Sequence, residues 1–279
     1  MQDLYTQNKD QILSVKDLPT LPAVLEEVSV LVEDPDSSTE QIAKAISQDQ
    51  VLSAKVLKMV NSPIYGFPRR ISTIQHALVL LGFNVIRGLI ISTSVFDIMA
   101  DSMRGLWEHS LGCAMACASI AKQAGFKDPE EYSVAGLLHD LGKVVSIVQL
   151  PEVKKEVDSL VEVRDITYYE AEKEVMGFSH DRINAWIADQ WNLPLKLREG
   201  LVWHHRPKSA QHYPDVACVV HLGDFMARVF QVGSSGDDHV SYLDGYVFKV
   251  LKLKQSHLEK VMDELDREFA EISGFTPHQ

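Results

Sequence analysis

Apolar residues recur along most of this chain every three to four positions, the spacing that gives a helix one apolar face. Leu25, Val28, Leu31 and Val32 form such a stripe. It is opened by Leu21-Pro22-Ala23, where proline in a first turn gives up no hydrogen bond. Ser38-Thr39 followed by Glu40-Gln41 reads as an N-terminal cap ahead of Ile42, Ala45 and Ile46. A helix starts at Val51, residues 61–68 are a loop by composition, and Ser72-Thr73-Ile74 opens a helix ending near Leu81-Gly82. After a turn at Gly82-Phe83-Asn84 the next helix runs to about Met99. The same spacing predicts helices over 106–124, 133–148, 151–161, 167–176, 180–191, 194–203 and 217–230, and an amphipathic tail over 252–272. No run alternates strictly between apolar and polar, so almost no sheet is expected and the fold class is all-α. The expected organisation is an N-terminal helical part over 1–100, a helical core over 101–230, and a C-terminal extension over 231–279. That extension begins with a low-complexity loop, Gly233-Ser234-Ser235-Gly236-Asp237-Asp238, read as flexible.

Composition narrows the function. At 279 residues the chain holds one large or two coupled domains, with room for a substantial core. A formal net charge of -12 repels phosphate backbones, so direct nucleic-acid binding is not expected. Three cysteines, Cys113, Cys117 and Cys218, argue against a disulfide scaffold and for a reducing compartment. Cys113 and Cys117 share a helical face inside an apolar run, as core residues or as a soft-metal pair, with core favoured. The polar N-terminus has no signal-peptide core. The longest apolar passage, residues 77–99, is broken by Asn84, Arg87 and two glycines, and reads as a buried helix pair rather than a membrane span. The expectation is a cytoplasmic protein with no membrane contact.

The chemistry concentrates in the middle of the chain. His139-Asp140 is flanked by Leu137-Leu138 and Leu141. Burying an imidazole beside an ionised carboxylate is costly without a partner, and a metal ion is the natural one. Borderline cations accept imidazole nitrogen and carboxylate oxygen together. His204-His205 stands before Pro207, a helix-end signal. Adjacent helical side chains diverge, so this pair meets one ion only at a frayed terminus; a solvated helix end is the competing reading. His109, His180 and Asp224 complete the candidates.

The order His109, His139-Asp140, Asp224 resembles the signature of the HD metal-dependent phosphohydrolase superfamily, and His180 with His204-His205 resembles the longer ligand set of HD-GYP phosphodiesterases. The N-terminal part resembles the HDOD domain, through Leu18-Pro19-Thr20-Leu21-Pro22, Ile46-Ser47-Gln48-Asp49, the stretch from Leu57 to Ser62, and Ile74-Gln75-His76-Ala77 through Gly82. The resemblance spans roughly residues 10–230 and implies an all-helical bacterial HDOD protein. It implies two divalent transition-metal ions, iron or manganese first. Asp140 would bridge them at the site of a shared water, with His109, His139 and Asp224 on one ion and His180, His204 and His205 on the other. Asp215 is an alternative to Asp224 as the last ligand. Lys143 resembles a lysine that faces substrate phosphate, or it is a solvated helix end. Asp181 either orients His180 or is an exposed carboxylate.

The chain departs from the HD-GYP pattern at Arg206, where an acidic residue is usual, at His212-Tyr213-Pro214 in place of Gly-Tyr-Pro, and at Gly105, where a glutamate ligand can stand. A third metal is therefore not expected. The resemblance implies a metal-binding signalling or regulatory module, acting through a protein partner or a phosphate-containing small molecule. With no receiver or output segment recognisable here, such a module is expected to work by non-covalent contact. An active phosphohydrolase or phosphodiesterase on a nucleotide or cyclic dinucleotide, and a metal-free scaffold, are the alternatives.

Overall fold

A computed structural model describes residues 23–272 except 35 and 104. The Leu18–Pro22 segment and the helix opening at Leu21-Pro22 lie outside the described residues. Among the described residues every regular element is helical. The N-terminal part holds α1 (Ala23–Glu33), α2 (Thr39–Ser47), α3 (Gln50–Val60) and the long α4 (Ile74–Ser102). The cap read at Ser38 is present: its hydroxyl accepts from Gln41 N, and the Gln41 side chain accepts from Ser38 N. Asp49 caps α3 through Leu52 N at 2.9 Å.

α4 bends at Gly82, whose φ of 75° and ψ of 168° suit glycine alone, so the expected turn is a kink between two helical halves. Within α4, Ile74–Val95 is long and apolar enough to cross a membrane. Yet 67% of that window is buried within the protein, as a core helix requires.

The central part holds α5 (Leu106–Gln123), α6 (Pro129–Leu138), α7 (Leu141–Gln149), α8 (Pro151–Arg164), α9 (Tyr168–Met176), α10 (His180–Gln190), α11 (Leu195–Trp203) and α12 (Pro214–Val229). The single helix expected over 133–148 is therefore two, α6 and α7, parted at His139-Asp140. A short 3-10 turn (Pro207–Ser209), α13 (Tyr246–Leu251) and α14 (Gln255–Ile272) follow. α5 is central, packed on α6, α12 and α14, while α10 lies between α7 and α11. α4 joins the two parts by touching α2 and α3 on one side and α6 and α7 on the other. Buried apolar side chains form one cluster running from Leu25 to Leu265.

An added Cβ at Gly82 meets nothing within 4 Å, so its cost is purely conformational. Gly82→Ala should lower unfolding free energy by about 1–3 kcal/mol in urea titration. An unchanged midpoint would show that the kink relaxes freely.

Candidate metal centre

The break between α6 and α7 places the first ligands. His139 closes α6, and Asp140 has φ of −96° and ψ of 14°, so both side chains leave the helix together. Asn184, fully buried on α10, holds the break. Its amide donates to His139 O and to Leu201 O, and its carbonyl accepts from Gly142 N at 2.7 Å. One side chain thus ties the break to α7 and to the end of α11. Gly142 lets α7 approach α10, because a Cβ there would lie 2.2 Å from His180 O.

Four helices, α5, α10, α11 and α12, then deliver the remaining groups to one place. His109, His139 and Asp224 bring ligand atoms within 4.8 Å of one another, and so do His180, His204 and His205. The two groups meet at Asp140. Its Oδ1 lies 3.3 Å from His180 Nε2, and its Oδ2 lies 3.3 Å from His139 Nε2 and 3.9 Å from His109 Nε2. α11 ends at Trp203, so His204 and His205 occupy the frayed end that the sequence required. His204 is fully buried, which rules out a solvated end for that residue, while His205 is half-buried. Asp215 is engaged elsewhere, accepting from Tyr132 Oη at 2.6 Å, whereas Asp224 Oδ1 lies 3.0 Å from His109 Nε2. Asp224 is thus the aspartate at the centre.

The imidazoles are oriented from behind. The Nδ1 of His139 donates to Gly136 O at 2.7 Å, that of His204 to Leu201 O at 2.8 Å, and that of His180 to Glu172 Oε2 at 2.5 Å. A neutral imidazole whose Nδ1 donates presents a lone pair at Nε2. The Nε2 atoms of His180 and His204 face each other at 3.3 Å, and His205 Nε2 lies 2.9 Å from that of His180. With Nδ1 donating in both His180 and His204, their opposed Nε2 lone pairs repel at this distance unless a cation sits between them. Nε2 of His109 and of His139 and Oδ1 of Asp140 are buried with no hydrogen-bond partner. Such orphans are costly in a dry interior, and divalent-metal coordination satisfies them all.

Burial lowers the pKa of His109, of His180 with help from Lys143, and of His205 with help from His204; it pushes His204 down to about 4. These rings are therefore in the unprotonated form that binds metal. Burial also opposes charge on His139, but Asp140 and Cys113 outweigh it and raise that pKa. Burial opposes ionisation of Asp140 and Asp224 as well. His139 and Lys143 overcome it for the first, and Arg228 and His109 for the second, so both carboxylates are ionised.

Several groups at the centre went unread in the sequence. Glu172, 1% exposed, accepts both the ring and backbone N–H of His180. Its signal is a carboxylate on the buried face that Tyr168, Ala171 and Met176 mark on α9. His221 donates from Nδ1 to His204 O and accepts from Asp244 N at Nε2. Arg228 donates to Asp224 Oδ1 at 3.0 Å. Asp181 is neither exposed nor bonded to His180: it is buried, with Ser179 Oγ and Arg206 as partners. Lys143 is no solvated helix end. It is 1% exposed, and its ammonium donates to Asp140 Oδ2 at 2.8 Å and Ser235 O at 2.9 Å. The loop read as flexible is instead anchored on the centre through Ser235 and Asp237. The cysteines are core: all three are buried, Cys117 packs near Gly136 and Gly223, and none joins either metal-ligand group.

The HDOD domain family matches residues 18–207, more than half of the chain. This chain belongs to the HDOD domain family. The HDOD domain protein of unknown function from Geobacter sulfurreducens has a crystal structure similar to it, with a TM-score of 0.75 and 28% identity over 97% of this chain and 96% of that one. A "putative phosphohydrolase" of Shewanella amazonensis SB2B is similar with a TM-score of 0.68 and 26% identity, over 94% of this chain and 97% of that one. An uncharacterized protein of Treponema pallidum (strain Nichols) is 27% identical over 220 residues, 77% of this chain and 43% of its own length. This HDOD chain spans less than half the length of the curated relatives it matches.

Glu172→Gln, which keeps the shape and removes the charge behind His180, should weaken metal retention about 10–100-fold in chelator competition. Equal retention would show that the carboxylate does not support that ring. The metal-free protein has a definite pH response. His109, His180, His204 and His205 bind protons less readily folded than unfolded, so the unfolded chain takes up the excess as pH falls below the ordinary histidine value of 6.5. Their contribution is present above that value and lost below it, opposed by Glu172, whose pKa burial raises, and by His139, whose pKa Asp140 raises. Urea midpoints should fall between about pH 7 and pH 5.5, and a constant midpoint would contradict the assigned protonation states.

Proposed function

We propose that this chain is a metal-binding HDOD signalling module with a two-ion centre. His109, His139 and Asp224 hold one divalent ion, His180, His204 and His205 hold the other, and Asp140 reaches both. The observation that carries this reading is the pair of converging ligand groups with a buried carboxylate directing one oxygen to each. Mixed imidazole and carboxylate donors suit iron or manganese. Two such ions would lower the pKa of a shared water and hold a phosphoryl oxygen.

The surroundings favour regulation over turnover. Lys143, the lysine that would meet a phosphate, has its ammonium engaged by Asp140 and Ser235 O, with Tyr168 beneath it. Arg206 turns onto Asp181 and the Trp203 ring. Its signal would pass to a protein partner by non-covalent contact. Hydrolysis of a phosphate ester is the second reading, supported by the phosphohydrolase name of the Shewanella relative at 26% identity.

Elemental analysis of protein purified without chelators should find about two ions per chain, lost in the His139→Ala, Asp140→Ala double variant. No stoichiometric metal in the wild type would overturn the proposal. The metal-loaded protein should not turn over aryl phosphate esters; turnover that Asp140→Ala abolishes would establish the second reading instead.

A further inference from the structure

Residues 233–239 connect α12 toward α13, and their composition predicts a solvated loop. They are instead fastened to the centre at three levels. Gly233 and Gly105 interlock: a Cβ on Gly233 would lie 2.2 Å from Gly105 O and 2.4 Å from His109 N, and a Cβ on Gly105 would lie 2.7 Å from Ser234 N. Ser234 N donates to Gly105 O at 3.0 Å. The glycine at position 105, where the resemblance allows a glutamate ligand, is therefore what lets this segment seat against His109. At the second level Ser235 O accepts from Lys143, which also binds Asp140. At the third, the buried Asp237 carboxylate accepts from Arg228, which also binds Asp224, and from Tyr168 N at 2.8 Å. Arg228 further donates to His239 O at 3.1 Å. Gly236 lies flat on the Tyr168 ring, where an added Cβ would come within 2.6 Å of it.

We propose that this segment is a strap whose docking is thermodynamically linked to metal occupancy, a regulatory role that rests on the metal-binding reading above. The sign follows from what the strap brings to the centre. Its docked groups are acceptors: one carboxylate and two carbonyls, each turned to a cation that contacts a candidate ligand. They draw the charge of Lys143 and Arg228 away from Asp140 and Asp224 and make the potential at the centre more negative, which favours a bound cation. By reciprocity a bound cation favours the docked strap. Metal loss would then loosen residues 233–239, uncover Ser235 and the Asp237 carboxylate, and widen the cavity of about 440 Å³ that they line with His109 and Arg228. This gives a partner a surface that differs between loaded and empty protein.

The test is hydrogen exchange by mass spectrometry over 233–239 in the full chain, as purified with metal and after chelation, alongside Mn²⁺ affinity of the apo protein. Two variants lie off the ligands: Asp237→Asn removes the anchoring charge, and Gly236→Ala lifts the strap from Tyr168 without changing charge. Chelation should speed exchange of the strap well beyond that of α5. Both variants should bind Mn²⁺ about fivefold or more weakly while keeping wild-type helix content by circular dichroism. Wild-type protein that binds metal but exchanges identically with and without it, or variants that bind Mn²⁺ as wild type does, would overturn the strap and leave the metal centre standing. Wild-type protein that binds no metal would overturn both.

Discussion

Asp140 carries a negative charge at 1% exposure, between helices that cannot supply water to it. An ionised carboxylate taken out of water costs many kcal/mol unless cations and donors replace the lost hydration. The surrounding structure supplies them. The break between α6 and α7 frees the carboxylate, Asn184 fixes the break, and Lys143 comes back within 2.8 Å. One lysine at one oxygen leaves Oδ1 without a hydrogen-bond partner, facing His180. The imbalance that remains is the physical reason to place divalent cations here.

The helices can be understood by how they serve that charge. α5 and α12 bring His109 and Asp224 together, and Arg228 one turn later balances the second buried carboxylate. α9 contributes Glu172, which fixes the tautomer and direction of His180. α11 contributes its end, where His204 and His205 diverge from the helix and meet His180. His139, His180 and His204, each held at Nδ1, direct the other nitrogen inward, a pattern that positions metal ligands but serves no purpose in an apolar core.

Much of this was legible in the residue order. Apolar spacing located nearly every helix, and the cap at Ser38 and the bend at Gly82 follow from local chemistry alone. His139-Asp140 stood out because both residues sit in an apolar run. The division of the helix there was not legible, since it depends on an Asn184 side chain 45 positions away from His139. Glu172 and His221 were missed for the same reason: their partners are set by packing, not spacing, whereas Arg228 stands one helical turn after Asp224 and was legible from spacing. The strap was misread because glycine and serine imply mobility when water is the alternative partner. Here the glycines permit close approach, and the polar groups bind buried cations.

Membership of the HDOD family and the converging ligand groups support one account, in which a regulatory fold keeps a working metal site. Anomalous diffraction at the iron and manganese edges, on crystals grown from protein never exposed to chelators, tests it most directly. The account predicts two peaks about 3.5–4 Å apart, one on each side of the Asp140 carboxylate. A single peak, or none within reach of Asp140, would contradict it.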